Sequence, residues 1–217
     1  MTIYTNSGLA MSMQSAIAAA KTISAVTKAA PGVFTSTAHG YSNGDLLLLE
    51  IEGMTELNKR VVEVVSVATD TFQVAGPDGT TGMDTTNFGT FSSGTAKKLT
   101  MGTSITGCQG FNSSGGEIKF EDSTTVQDTV DKQIVTGATA LSYGLDLQWD
   151  PANAGQQAMQ AAFETRASKA FKITWPSGAY VAFYGSVGYS GAPGGGKQGI
   201  TTTQAAIAAE GNLTMCA

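Results

Sequence analysis

The sequence predicts a mainly β protein: a β-sandwich or barrel with one α-helix, interrupted by an inserted small β-barrel. Apolar and polar residues alternate most clearly from Leu141 to Trp149, and strict alternation of this length indicates a half-buried strand. Strand-length apolar runs are separated by turns, in a chain with 27 glycines among 217 residues. Charged residues make up only 13% of the chain, which suits short strands and many turns better than long solvated helices.

The first element is predicted from the alternation of Leu9, Met11 and Met13 with smaller or polar residues. Residues 15–20 fit an extension of this strand or a short helix, and the periodicity does not decide between them.

A group of strands with its own turns follows in residues 21–98. The run LLLLEIE at 46–52 and the β-branched run VVEVVSV at 61–67 suit a pleated, half-buried surface. Asn43-Gly44-Asp45 is a strong turn signal, because Asn and Gly tolerate the positive φ of a tight turn. We therefore predict a five- or six-stranded barrel over residues 23–98, inserted into a discontinuous domain of residues 1–22 and 99–217.

The second half of this domain contains the predicted helix and more strands. Asp150 and Pro151 suit the N-cap and first position of a helix, which should run to about Ser168. Alternation then predicts a hairpin over 170–189. The chain should end in a strand pair, Thr201–Ala208 and Asn212–Met215, that turns at Glu210-Gly211.

The residues that carry enzyme chemistry are sparse. His39 is the one histidine and adjoins Gly40 in a predicted turn, so we interpret it as structural and do not expect an enzyme. Cys108 and Cys216 lie far apart without a CxxC pair, which argues against a disulfide framework, a zinc site or another metal or cofactor. These cysteines are expected to be free thiols in a reducing cytosol.

Residues 191–197 match the spacing GxxxxGK of a phosphate-binding loop. Gln198 stands where such a loop has Ser or Thr for magnesium. The segment that follows has the pattern of a strand, whereas phosphate binding needs the N-terminus of a helix. We therefore interpret this segment as a hairpin or interface loop.

The net charge is −5, without the basic stripe that specific nucleic-acid binding requires. The segment 117–150 holds seven acidic residues and two lysines, and a solvated face is the simplest interpretation of that cluster. No apolar stretch approaches the roughly 20 residues that span a bilayer, and the first lysine comes only at Lys21, which fits a signal peptide poorly. We expect no membrane anchor, and synthesis and assembly inside a cell.

Several segments, taken in order, resemble the major tail tube proteins of long-tailed, non-contractile bacteriophages of the lambda-like sort. The inserted module is also similar to a small β-barrel seen in many phage tail proteins. The segments that carry the resemblance are MSMQSAIAAAKTISAVTKAAPGVFTSTAHGYSNGD (11–45), GMTELNKRVVEVVSVATDTFQV (53–74), SGGEIKFEDSTTVQDTVDKQIV (114–135), LDLQWDPA (145–152), AFKITWPSG (170–178) and GITTTQAAIAAEGNLTM (199–215).

The resemblance implies a structural virion protein of the phage tail, assembled in the host cytoplasm. Such proteins form hexameric rings that stack into a tube, and the DNA genome passes through the lumen without specific binding. The implied partners are copies of the chain, the tail tip or baseplate, the tape measure and the tail terminator. A tail terminator or tube-end protein, or a monomeric adhesion or binding module of the virion, is the alternative.

Two hypotheses extend this interpretation. The region 110–150 supplies lumen strands and a loop to the next ring, with an acidic lining, and the inserted barrel decorates the outside of the tube. The candidate lining residues are Glu117, Glu121, Asp122, Asp128 and Asp131.

Overall fold

A computed structural model describes residues 5–217 and shows a mainly β fold, with 45% of residues in strands and 7% in helices, one of them an α-helix. The predicted fold class is confirmed. Residues 1–4 of the predicted first segment lie outside the described residues. The elements in chain order are β1 (Ala10–Met13), β2 (Ala16–Ile17), β3 (Lys21–Ile23), β4 (Ala25–Val26), β5 (Phe34–Thr35), β6 (Leu46–Glu52), a 3-10 helix (Thr55–Leu57), β7 (Arg60–Val65), β8 (Thr71–Val74), β9 (Ser93–Thr100), β10 (Thr103–Ile105), β11 (Cys108–Ser114), β12 (Ile118–Asp122), β13 (Gln133–Ala138), β14 (Ser142–Gln148), α1 (Ala154–Thr165), β15 (Lys169–Thr174), β16 (Tyr180–Gly188), β17 (Thr202–Ala209) and β18 (Thr214–Cys216).

Eight strands from the two ends of the described chain form one antiparallel sheet, which we name the flanking sheet. Its order is β10-β1-β15-β16-β17-β14-β11, with β18 also paired to β16. Only Thr106 and Gly107 separate β10 from β11, so the chain passes directly from one end of this order to the other. The sheet therefore curls around its own core, as the predicted sandwich or barrel requires. The predicted first strand, the strand at 141–149 and the hairpin at 170–189 are confirmed as β1, β14 and β15–β16.

Aromatic rings stack at the centre of this core. The ring centroids of Tyr143 and Phe183 are 4.6 Å apart, and those of Phe171 and Phe183 are 5.6 Å apart. Phe183 is fully buried, because alternation along β16 points its side chain inward.

We expect Phe183→Ala to lower the free energy of unfolding by about 3–5 kcal/mol, since it removes buried apolar surface and leaves a cavity. Phe163→Ala on α1 is the control, because the Phe163 side chain is 44% exposed. Urea denaturation measures both. Equal losses in the two variants would contradict this description of the core.

Strands β2–β9 form the second eight-stranded sheet, which we name the inserted barrel. Its order runs β9-β6-β7-β8-β5-β4, and β3 pairs back with β9. Ser24 alone separates β3 from β4, and its N–H donates to the carbonyl of Thr35 at 2.9 Å. The strand order therefore returns to its starting point and closes a small barrel.

The inserted barrel begins and ends beside the same pair of strands. Met13 at the end of β1 lies opposite Thr103 at the start of β10, so the chain leaves and re-enters the flanking sheet at adjacent positions. Strand pairing extends the barrel to Ala16 and Thr100, beyond the predicted limits of 23–98, because β2 pairs with the end of β9. Ends that lie close together let an insertion fold without distorting its host sheet.

A third apolar cluster joins the two sheets. Leu46 and Leu48 of β6 pack in it with Ala170, Tyr180 and Ala182 of the flanking sheet. Strand β6 is buried on both sides, because Leu47, Leu49 and Ile51 point instead into the barrel core. The inserted barrel thus covers one outer side of the flanking sheet over β15, β16 and β18.

Polar contacts reinforce this junction. Arg60 Nε of β7 donates to Thr214 Oγ1 at 3.0 Å, and Asn212 Nδ2 donates to the carbonyl of Glu56 at 3.1 Å. Burial lowers the pKa of Arg60. Burial likewise raises the pKa of Tyr180, and the nearby Cys216 and Glu63 raise it further.

The helix begins three residues later than predicted. Asn153, not Asp150, is the N-cap: its side-chain oxygen accepts from the N–H groups of Gly155 at 2.9 Å and Gln156 at 3.2 Å. Asp150 instead accepts from the N–H of Ala152 and stabilises the turn that precedes the helix. Two residues with N-cap chemistry lie three positions apart here, and contacts with the rest of the fold select one of them. The helix packs against β10 and β16.

The predicted final strand pair is wrong. Strands β17 and β18 do not turn back on each other at Glu210-Gly211. Both pair with β16, β17 at its C-terminal end and β18 at its N-terminal end, so the chain continues along one strand with an interruption. The Glu210 carboxylate accepts from Ser186 Oγ at 2.7 Å and from Ser168 Oγ, which holds the interruption in an extended course.

Candidate functional site

Strands β12 and β13 form a separate two-stranded hairpin, which we name the hairpin arm (residues 115–140). Every residue of both strands is exposed, so neither side of the arm packs on the two cores. Gly115 at its base has φ +89°, and a Cβ there would lie 2.0 Å from the carbonyl oxygen of Ala140. The start of the arm therefore requires glycine at this position.

The apolar side chains of the arm are exposed as well. Phe120 is 59% exposed and lies opposite Val135 in the register, and alternation puts Ile118 on the same side of β12. Large exposed apolar patches on a soluble subunit mark surfaces that another molecule covers. The large apolar residues exposed on the arm are Ile118, Phe120, Val126, Val130, Ile134 and Val135.

All five candidate acidic residues lie on the arm, but they do not form one cluster. Glu121 points to the side of β12 opposite Phe120, whereas Asp122 lies on the side of Phe120, by alternation. Glu117 precedes β12 near the base of the arm, and Asp131 lies in the loop between its strands.

Two of these acids shape the arm's own turns. Asp122 accepts from the N–H of Thr124 at 2.8 Å, and hydrogen bonds from the Thr124 side chain and from this N–H lower the pKa of Asp122. Asp128 forms an ion pair with Lys132 and accepts from the N–H of Thr125 at 2.9 Å. The contact with Lys132, followed by those with Thr125, lowers the pKa of Asp128. Both carboxylates therefore stay ionised to lower pH than an ordinary aspartate, and their contribution to arm stability is lost as the pH falls through the lowered pKa.

The outer side of the flanking sheet over β11, β14 and β17 is not covered by the inserted barrel. We name it the bare face. Asp146 is its one charged residue, and its carboxylate accepts from Gln204 Nε2 at 3.0 Å. The residues of the bare face are Gly110, Asn112, Ser114, Ser142, Gly144, Asp146, Gln148, Thr202, Gln204, Ala206 and Ala208, and the strand register places them on one side. The sequence predicted β14 and β17, but not β11 or the sharp difference between the covered and uncovered parts of this outer side.

An apolar groove of about 310 Å³ opens where the inserted barrel meets the flanking sheet. Met215, which is 61% exposed, stands at its surface. The groove is lined by Pro77, Trp175, Ala179, Tyr180, Val181, Met215, Cys216 and Ala217.

His39 is buried and contacts backbone groups through both ring nitrogens. Nδ1 accepts from the N–H of Tyr41 at 3.0 Å, which leaves Nε2 to donate to the carbonyl of Ala68 at 3.0 Å. The ring also lies 5.1 Å from the ring of Tyr41. His39 therefore holds the turn before β6, as the sequence indicated.

Residues 191–197 precede strand β17 rather than a helix, in agreement with the predicted strand. Within residues 5–217, no three His, Cys, Asp or Glu side chains come together as a metal site. In the same part of the chain, no helix has the length and apolar character needed to cross a membrane.

A substitution at the base of the arm tests whether the direction of the arm matters for assembly. We expect Gly115→Ala to reduce subunit assembly strongly with little change in melting temperature, because the new Cβ displaces the arm but leaves both cores intact. Gly196→Ala is the control, since nothing lies within 4 Å of a Cβ built there. Light scattering follows assembly and calorimetry follows unfolding. Normal assembly of the Gly115 variant would show that the arm's direction is unimportant.

Comparison with known proteins identifies the group to which these features belong. A family model described as phage tail tube protein, TTP, matches residues 52–217, more than half of the chain. The match includes the arm, the three strands that form the bare face, and strands β7–β9 of the inserted barrel. No curated protein matches the chain.

The family is one of structural tail proteins rather than a class of enzymes. Its role in the tube implies a virion component that assembles with copies of itself and with other tail proteins. The chain belongs to the phage tail tube protein family.

Proposed function

We propose that this chain closes into hexameric rings that stack into the tail tube of a long-tailed, non-contractile phage, and that double-stranded DNA passes through the lumen. The observation that carries the proposal is the contrast between two parts of the outer side of the flanking sheet. The part over β15, β16 and β18 is buried under the inserted barrel, whereas the part over β11, β14 and β17 is the bare face. A ring built from such subunits would have the inserted barrel on its outer wall and the bare face on its inner wall.

The bare face is the side we assign to the lumen. Its side chains are small or uncharged and polar, apart from Asp146. Lysine and arginine hold nucleic acid by neutralising its phosphates, and the bare face has neither. A surface of this kind allows the duplex to slide, and an acidic field repels its phosphates.

The acidic arm residues extend this lining. We retain Glu117, Glu121, Asp122, Asp128 and Asp131 as candidates that face the lumen or the joint between rings. The arm leaves the flanking sheet directly from β11 and returns to β14, both of which form the bare face. The lowered pKa values of Asp122 and Asp128 keep those two residues charged in mildly acidic conditions.

The inserted barrel is the part we assign to the outside, as a decoration domain of residues 16–100. It covers the flanking sheet over β15, β16 and β18, away from the strands β11 and β14 of the bare face, and its closed strand order leaves few open strand edges. Barrels of this kind resist unwanted strand pairing, because closure removes the edges.

We assign ring closure to strand β11, which has one unpaired edge. Within residues 5–217 it pairs with β14 on one side only. An unpaired strand edge is a template for pairing with another chain, so neighbouring subunits can continue the sheet around the lumen. Rings made this way would assemble in the host cytoplasm, between a tail tip or baseplate and a terminator, around a tape measure.

A thiol-accessibility experiment tests this orientation. In a background with Cys108→Ser and Cys216→Ala, Ala206→Cys places a thiol on the bare face and Val67→Cys places one on the barrel, where Val67 is 37% exposed. In assembled tubes, we expect a bulky polyethylene-glycol maleimide to modify the Val67 variant and spare the Ala206 variant. Both should react in unassembled subunits. Equal modification in tubes would overturn the assignment of the bare face to the lumen.

A further inference from the structure

The hairpin arm and the apolar groove are two separate surfaces of one subunit, and each is open. We infer that the apolar side of the arm of one subunit docks in the apolar groove of a neighbouring subunit. This inference rests on the proposed function, because it needs the chain to assemble with copies of itself.

The occupant of the groove is a second copy because the subunit itself carries the matching surface. Ile118, Phe120 and Val135 are 56%, 59% and 62% exposed, on an arm that touches neither core. A contact between two different surfaces joins subunits head to tail, so that each subunit both gives and receives an arm. A growing tube needs such a contact, whereas a contact of one surface with itself ends in a closed pair.

The shape and chemistry of the groove suit an aromatic side chain. Its volume of about 310 Å³ and its wall of Trp175, Val181 and Met215 provide an apolar site at the surface. Interfaces derive most of their binding energy from a few large side chains that fill such pockets, with aromatic residues prominent among them. Phe120 is the large aromatic residue of the arm, so we place it at the centre of this contact.

Charge fixes the register of the contact. Asp122 follows Phe120 on the same side of β12 by alternation. Lys172 Nζ lies 3.9 Å from the ring centroid of Tyr180, which lines the groove. An arm that inserts Phe120 into the groove can bring Asp122 towards Lys172. Opposite charges at the rim of an interface contribute orientation and partner choice more than affinity.

The groove also spans the two sheets. Pro77 belongs to the segment that follows β8 of the inserted barrel, whereas Val181 and Met215 belong to the flanking sheet. A docked arm would therefore touch both sheets of its neighbour. The inserted barrel then contributes one wall of an assembly contact in addition to its place on the tube exterior.

Crosslinking in assembled tubes tests the contact. In the background with Cys108→Ser and Cys216→Ala, Phe120→Cys is combined with Met215→Cys, and the tubes are treated with a short bismaleimide. We expect a ladder of covalent oligomers on denaturing gels. The control combines Phe120→Cys with Ile17→Cys, because Ile17 is 44% exposed and lies on the inserted barrel. The control should stay monomeric.

Tubes that form normally without a ladder from the Phe120–Met215 pair would overturn the docking inference and leave the proposed function standing. Failure of the unmodified chain to form tubes at all would overturn both. Met215→Glu supplies a second test that needs no crosslink: we expect at least a tenfold loss of assembly with an unchanged melting temperature, because Met215 is 61% exposed, and little loss from Ile17→Glu. Equal assembly of these two variants would also overturn the inference.

Discussion

Removal of the hairpin arm should abolish tube formation and leave the subunit folded. Replacing residues 116–139 by Asn-Gly retains a short loop between Ser114 and Ser142, which pair across β11 and β14. The strands of the arm pair only with each other, so their loss removes no core contact. We expect a melting temperature within a few degrees of the unmodified subunit and no tubes by negative-stain electron microscopy.

A second variant tests whether assembly needs the apolar side chains of the arm or only its backbone. Serine at Ile118, Phe120 and Val135 keeps the backbone of the arm but removes its apolar side. The matched control places serine at Ile17 and Val67, two exposed apolar residues of the inserted barrel. We expect assembly to fail in the first variant and to proceed in the control. Tubes of normal length from the armless subunit would contradict the role assigned to the arm.

Removal of the inserted barrel should give the largest loss of stability, unless the surface beneath it is changed as well. Joining Gln14 to Gly102 through Asn-Gly restores a tight turn between the paired strands β1 and β10. The excision exposes Ala170, Tyr180 and Ala182. Each large apolar side chain that returns to water costs about 1.5–3 kcal/mol, so we expect the simple deletion to aggregate or unfold.

A resurfaced deletion separates folding from assembly. Adding Tyr180→Thr and Ala182→Thr gives the uncovered side a polar surface, and we expect this variant to fold and to form thinner tubes. The tubes should dissociate more readily than those of the full chain, because the groove has lost its wall at Pro77. A folded, resurfaced subunit that never assembles would show that the barrel is essential to the tube rather than a decoration.

The sequence predicted most strands because burial on one side leaves a period-two pattern. Leu145 and Leu147 alternate in β14 in this way, and both point into the core. The junction between the sheets is also visible in the sequence, as the continuous apolar run LLLLEIE of β6. A run without alternation is typical of a strand that is buried on both sides, and this one faces the barrel core and the flanking sheet. Which sheet covers its second side depends on tertiary packing and is absent from the local pattern.

The hairpin arm shows a second limit of prediction from sequence periodicity. Ile118 and Phe120 alternate with polar residues as they would in a buried strand, and they lie in β12. Periodicity cannot tell whether the apolar side is covered by the same chain or by another. The positions of Asn153 at the helix start and of β18 beside β16 were missed for a related reason, since competing local solutions were decided by contacts distant in sequence.

The central claim is that the bare face lines the lumen and the inserted barrel lies outside. A cryo-electron microscopy map of the assembled tube tests it most directly. We expect sixfold rings in which Gly144, Asp146 and Ala206 face the channel and the barrel projects from the outer wall. A map with the barrel in the channel, or with the bare face on the outer surface, would contradict the account.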